Sequence, residues 1–401
     1  RAESFTGSGE SVYIWGAQLT ESAKPLPYVK TLDVAVTKTF AETLRTEYDA
    51  VTGENLGALI EGGSTNLCTY SEDFSNAAWN NLNCPITTNA AIAPDGTLSA
   101  NKMTPSTTSG IHRVKQAITI TSGNTYTHSL YCKPAGYNFL EVGFYNSQVG
   151  EYSTATVNLT NGSFTELITG TSFTNVSVIV KKVNDYFKIT VTATIADVTA
   201  DAYIRNNNNT PDSSVGRQFA GDGTSGVYIW GSQVEAQPFA SSYIRTEGAA
   251  VSRSADNLSV SPYAAINPSE TSFNVVFDSA SPTADFPMAF KHNALNSEYY
   301  RLYPSGDFAV MHIATDFVVA SGGSWVVGEV QNFSGTYDGT TSKLYVNKVF
   351  NQQDAISEPL VIDPANPFYI GMWASSLHIN GHISKFSTYA QALTAQEITL
   401  L

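Results

Sequence analysis

Apolar and polar residues alternate in short runs along most of this chain, and turn residues separate the runs. Residues 112–120, 125–132, 140–145, 154–159, 176–182 and 186–195 follow this two-residue period. Successive side chains of a strand point to opposite faces, so the period predicts strands with one face buried. Ser122-Gly123-Asn124, Pro134–Gly136, Asn161-Gly162 and Asn184-Asp185 stand between them as turns. Strands at intervals of about eight to twelve residues with such punctuation predict a sandwich or jelly roll. A short apolar strand is expected at 58–60, between Thr52-Gly53 and Gly62-Gly63. Residues 330–337 and 343–346 flank Asp338-Gly339, whose residues suit the positive φ angles of a tight hairpin. Thr394 and Glu397 form a capping box, which predicts a helix starting there.

One segment occurs twice. Residues 12–31 return in altered form as residues 227–246, with eight of twenty positions identical. The likeness continues from 34–39 into 249–254. A repeat at fixed spacing reports an array of modules. The first copy has few residues ahead of it, so the chain reads as part of a longer modular protein, and Arg1 in place of Met agrees. Residues 1–31 are expected to end a preceding β-sandwich module, 32–66 to form a connector, and 67–258 and 259–401 to be two further sandwiches. The expected fold class is all-β, with tandem β-sandwich (jelly-roll) domains and a short C-terminal helix.

Composition supports this. Apolar residues make up 42% of the 401, charged residues only 14%, and Tyr (21) and Phe (20) are abundant. Aromatic and β-branched side chains suit a pleated surface. The net charge of −14 disfavours nucleic acid and anionic membrane surfaces as partners. No apolar run approaches the roughly 20 residues of a membrane helix. Cys68, Cys84 and Cys132 are an odd number with no CxxC spacing, so they read as buried small hydrophobes in a chain assembled in a reducing cytoplasm; a Cys68–Cys84 bridge stays open.

Catalytic constellations are weak. Gly221-Asp-Gly223-Thr-Ser-Gly226 has the letters of a dinucleotide loop but precedes a strand instead of opening a helix. His378 and His382 have the spacing of a zinc pair, but Asn380-Gly381 between them reads as a turn. No Ser/His/Asp set assembles, and spacing selects no carboxylate pair for glycoside hydrolysis. Sugar binding needs exposed aromatic faces with polar neighbours. The candidates are Tyr145 and Tyr152, with Tyr137, Asn138, Asn146 and Gln148 nearby, and Tyr299, Tyr300, Trp325, Trp373 and His378. Trp15 and Trp230, inside apolar strands, read as core.

Three stretches resemble known families. Residues 48–74 and the YIWG(A/S)Q strands ending in Y(V/I)(K/R)T resemble segments of bacteriophage tail and fibre proteins. The following domain, with Trp79, Val114-Lys-Gln116 and the run from Gly123 through Tyr126 to Tyr131, looks like a carbohydrate-binding-module jelly roll. Gly335-Thr-Tyr337-Asp338-Gly339, Leu344-Tyr345-Val346-Asn347, Ile370-Gly371 and Asn380-Gly381-His382-Ile383 look like the laminin-G/concanavalin A-like lectin group. The resemblance implies a non-catalytic tail-fibre or receptor-binding fragment, located in the virion tail and extracellular, that attaches the particle to a bacterial cell-surface glycan. Its implied partners are that polysaccharide and other tail proteins, in a homotrimer, without nucleic acid or membrane insertion. No cofactor is implied; calcium is left open, without a clear ligand cluster. The alternatives are the accessory carbohydrate-binding region of a secreted glycan-degrading enzyme and a purely structural tail protein.

Overall fold

The computed structural model describes residues 45–49, 52–208, 218–260, 267, 269–280, 289–290, 307–313, 316–321, 328–355, 368–373 and 377–401. The chain divides into two compact units, Arg1–Leu44 and Arg45–Leu401, and every described residue belongs to the second. The expectations for residues 1–31 and for Trp15 lie outside the described residues.

Two six-stranded antiparallel sheets form the jelly roll. The first runs Phe164–Ile168, Glu151–Asn158, Phe139–Asn146, Thr199–Asn206, Arg113–Thr119, Asn80–Leu82. The second runs Phe173–Val183, Tyr186–Ile195, Thr125–Ala135, Gly226–Glu235, Leu98–Met103, Ile86–Ile92. The two-residue period does what it predicts. Leu140, Val142, Phe144, Ala202 and Ile204 of the first sheet pack in one core with Leu130, Ile189, Val191, Val227 and Ile229 of the second. Asn184 adopts φ +55° in the hairpin joining Phe173–Val183 to Tyr186–Ile195, as its turn position requires. The turn expected at Pro134–Gly136 comes later, because strand Thr125–Ala135 runs through Pro134 opposite Val227.

The repeated strand, Gly226–Glu235, lies in the middle of its sheet, between Thr125–Ala135 and Leu98–Met103. Trp230 is 3% exposed and packs on Tyr131 and Tyr243, so it is core as expected. All three cysteines are free and buried, including Cys68 and Cys84.

The second sandwich is built on a seven-stranded sheet: Thr46–Tyr48, Asn55–Ile60, Gly381–Tyr389, Thr271–Phe277, Gln331–Tyr337, Thr341–Val346, Val349–Ala355. The expected hairpin forms, with Gly339 at φ +92°. The helix Ala395–Leu400 starts at the expected capping box, and its Ile398 packs with Tyr345 and Leu393.

The first two strands of this sheet come from the segment read as a connector. The strand expected at 58–60 lies within Asn55–Ile60, and its partner is Gly381–Tyr389, with Ala58 opposite Ile383. The jelly roll is therefore an insertion in the second sandwich. Its ingoing strand, Ser64–Asn66, pairs with its outgoing strand, Val251–Arg253.

Candidate functional site

In the first jelly-roll sheet, the residues that alternate with the core residues form a second face, on which Tyr145 and Tyr152 are half-buried and Asp201, Tyr203, Glu141 and Arg205 are buried. Antiparallel register places Tyr152 opposite Tyr145, and Tyr145 opposite Asp201. Along the same face Thr154, Gly143, Tyr203 and Lys115 line up across four strands. Gly143 has φ +151°, and a Cβ there would strike the carbonyl of Ser153. The next row holds Thr156, Glu141, Arg205 and Arg113.

The Tyr145 and Tyr152 rings stack, with centroids 4.4 Å apart and planes 24° apart. Tyr203 lies against both, at 5.3 Å and 5.6 Å, and is 1% exposed. Tyr145 and Tyr152 remain partly open to solvent. The Lys115 ammonium lies 5.3 Å from the Tyr145 ring centre and 2.7 Å from Asp201 Oδ2. This combination offers an aromatic surface beside the Lys115 ammonium, which the buried Asp201 carboxylate holds in place. Aromatic faces of this kind take up apolar C–H surface, and the polar groups fix its orientation.

In the next row of the same face lies a fully buried Arg205–Glu141 ion pair, both side chains 0% exposed. Thr154 Oγ1 donates to Glu141 Oε1 at 2.8 Å. The pair links the two neighbouring strands Phe139–Asn146 and Thr199–Asn206. Arg113 Nη1 donates to Asn80 Oδ1 at 2.9 Å.

The structure thus brings Tyr145 and Tyr152 together. Their expected polar neighbours sit differently. Asn146 is buried and donates to Ser172 Oγ and Asp197 Oδ2, tying down the turn between the two tyrosine strands. Gln148 Nε2 donates to Thr199 Oγ1 at 3.0 Å. Tyr137 is core, packed on Phe219. Sequence reasoning missed Asp201, Tyr203 and Arg205, all on strand Thr199–Asn206. The signal was present: Ala200, Ala202 and Ile204 alternate with Asp201, Tyr203 and Arg205.

In the second sandwich, Tyr299, Tyr300 and Trp325 lie outside the described residues. Trp373 stands opposite Leu377 in a short antiparallel pair, and its side chain lies outside the described residues. His378 corrects its expectation. It is 2% exposed, and its Nε2 donates to the carbonyl of Asp256 at 2.9 Å, so it faces the inter-domain joint and not a ligand. Burial holds it below the usual histidine range.

His382 does not pair with His378. Its Nδ1 meets Asp278 at 2.9 Å and its Nε2 meets Glu47 Oε2 at 2.7 Å. Burial alone would lower its pKa, but the two carboxylates raise it to about 9. Among the described residues, no group of three or more His, Cys, Asp or Glu is arranged to hold a metal ion.

One buried row has the composition of a nucleophile relay. His128 Nδ1 donates to the Gly143 carbonyl at 2.9 Å, and its Nε2 accepts from Ser232 Oγ at 3.0 Å. Cys68 Sγ lies 3.6 Å from that same oxygen. All three residues are 0% exposed. Burial pushes the Cys68 thiol up to about 12 and the His128 imidazole down to about 4, so neither charges near neutral pH. The row is a satisfied core network without access to substrate.

The Gly221–Gly226 string is a turn in which Asp222 Oδ1 accepts from the backbone N–H groups of Thr224 and Ser225. It precedes strand Gly226–Glu235, as expected.

Residues 240–399 match the family model of the concanavalin A-like lectin/glucanases superfamily (Laminin_G_3). The matched span includes the Asp338-Gly339 hairpin and the capped helix. No curated protein sequence matches the chain. Similar solved structures include domain 4 of AbnA, an extracellular arabinanase from Geobacillus stearothermophilus, in complex with arabinotriose. It is 17% identical, with a TM-score of 0.29, over 40% of this chain and 79% of that one. A carbohydrate-binding protein from Bacteroides ovatus is 12% identical, with a TM-score of 0.26, over 72% of this chain and 78% of that one. Domains LG4-5 of the mouse laminin alpha1 chain are 11% identical, with a TM-score of 0.26, over 72% and 88%.

Proposed function

We propose that this chain is a non-catalytic glycan-binding protein and that the tyrosine face of the jelly roll is its principal contact. The observation that carries this reading is the Tyr145–Tyr152 stack beside the Lys115–Asp201 pair. The stack takes the C–H face of a sugar ring, Lys115 donates to its hydroxyls, and buried Asp201 holds the ammonium in place. On this face Lys115 is paired with Asp201 and Arg205 with Glu141, while Arg113 bonds the neutral Asn80. The chain charge of −14 favours a neutral glycan over an acidic one.

The finer reading is attachment of a bacteriophage tail to host-surface polysaccharide. It rests on the likeness of residues 48–74 and of the twice-occurring YIWG strand to tail and fibre segments. In that setting the chain stands in the virion tail beside other tail proteins, as a homotrimer, and several weak sites gain avidity.

A glycan array tests the binding. The wild-type chain should retain neutral oligosaccharides, and Lys115→Gln should lose most of that retention while circular dichroism stays that of a folded β-protein. Silence across the array at high protein concentration would overturn glycan binding; release of shortened sugars would overturn the non-catalytic reading. The attachment reading predicts that the soluble chain competes with phage particles for host cells. Antibody against it should label the tail, and light scattering should return three times the chain mass.

A further inference from the structure

Four segments of the chain meet where the jelly roll joins the second sandwich. Arg45 and Glu61 come from the segment that supplies the sandwich's first strands. Ser241 and Ser242 follow the last jelly-roll strand, Gly226–Glu235. Arg253 and Asp256 lie on the way out, and His378 and Asn380 precede strand Gly381–Tyr389.

Their side chains interlock. Arg45 Nη1 lies 2.9 Å from Glu61 Oε2 and donates to Ser242 Oγ at 3.1 Å. The same guanidinium forks onto Asp256, with Nε 3.1 Å from Oδ1 and Nη2 on Oδ2. Glu61 accepts from the Ser242 N–H at 2.8 Å and from its hydroxyl at 2.7 Å. Arg253 Nη2 lies 3.3 Å from Glu61 Oε2 and donates to the Gly62 carbonyl at 3.0 Å. The Glu61 N–H donates to Asp256 Oδ2 at 2.7 Å, and the Gly62 N–H to Asn380 Oδ1 at 2.8 Å. His378 holds the carbonyl of Asp256. Glu61 is only 5% exposed.

Linkers between mobile domains are exposed and cross few contacts. This junction has the opposite character. Two paired strands carry the chain in and out, so no single segment can act as a swivel. Planar guanidinium groups bind carboxylates in a fixed geometry, which a lysine in the same place would not impose. The two cations are matched by the two carboxylates, and Ser242 ties the jelly roll directly into the cluster.

We propose that Arg45, Glu61, Arg253 and Asp256 form a charge-locked joint that holds the inserted jelly roll at one angle on the second sandwich. The tyrosine face is then presented in a fixed relation to the lectin-like domain. A surface touched by one of them meets the other without a further orientational cost.

Paired spin labels test this in the intact chain. The native cysteines are buried, so labels go to Thr165→Cys on the jelly roll and Gln353→Cys on the sandwich, both exposed positions. The expected wild-type result is one narrow distance distribution. Asp256→Asn and Arg45→Lys should each broaden it several-fold while circular dichroism stays that of a folded β-protein. A broad distribution in the wild-type chain overturns the proposal whatever the variants do. A narrow one that both folded variants retain overturns the role of these charges. If Asp256→Asn does not fold, Arg45→Lys, which keeps the charge and removes the fork, decides alone.

Discussion

Tyr145 and Tyr152 face each other across neighbouring antiparallel strands, with ring centres 4.4 Å apart and Tyr203 packed against both. Tyr152→Ala should therefore separate binding from folding. Aromatic pairs contribute about 0.5–1.5 kcal/mol beyond their buried area, so the melt should move little. Affinity for an array-positive glycan should fall about tenfold or more, equal to about 1.4 kcal/mol. Isothermal titration beside urea unfolding checks both; a large stability loss with unchanged affinity would place Tyr152 among the core residues.

Arg205 and Glu141 are both fully buried. Removing one partner leaves the other charged and buried, at a cost of about 3–5 kcal/mol, whereas apolar replacement of both is far milder. Glu141→Leu should destabilise the jelly roll by that amount, and Glu141→Leu with Arg205→Leu should recover much of it. Denaturant midpoints for the three proteins would show the ordering.

His382 makes stability depend on alkaline pH. Its pKa is raised from 6.5 to about 9 by Asp278 and Glu47, against the lowering effect of burial. The folded chain holds this proton more tightly than the unfolded one, so the stabilisation is complete below about pH 6.5. It declines as pH rises and is gone above about 9. Thermal melts between these values should slope downwards for the wild type, and His382→Gln should flatten that slope.

Gly57 adopts φ +107°, and a Cβ there would meet the backbone of Ile383. Gly57→Ala should therefore weaken the pairing of Asn55–Ile60 with Gly381–Tyr389, at a cost of about 1–3 kcal/mol. Amide exchange at Ile60 and Ile383 is the sensitive measurement. Faster exchange is expected in the variant than in wild type.

Cys68, Cys84 and Cys132 are buried, and burial raises all three thiols, the first two to about 12. Thiol-reactive dye should count none in the native chain and three after denaturation. Rapid labelling without denaturant would contradict the burial.

Local pattern reached the strands, the turns and the helix cap. The hairpin at Asp338-Gly339, the left-handed Asn184 and the box at Thr394–Glu397 are all set by neighbours in the chain. The tyrosine face was half visible, because Tyr145 and Tyr152 flank one turn while Asp201, Tyr203 and Arg205 join them from a distant strand. The run of asparagines at 206–209 reads as loop, yet strand Thr199–Asn206 extends to its first member. Pairing between Ala58 and Ile383 has no local signature at all. His378 has no local mark of burial; the carbonyl that holds it comes from Asp256, 122 residues away in the chain.

The side-by-side passage of strands Ser64–Asn66 and Val251–Arg253 has an evolutionary reading. A module whose two ends leave together can be exchanged as a cassette without cutting the host sheet. One inset could then be replaced by another while the scaffold that carries it keeps its sequence.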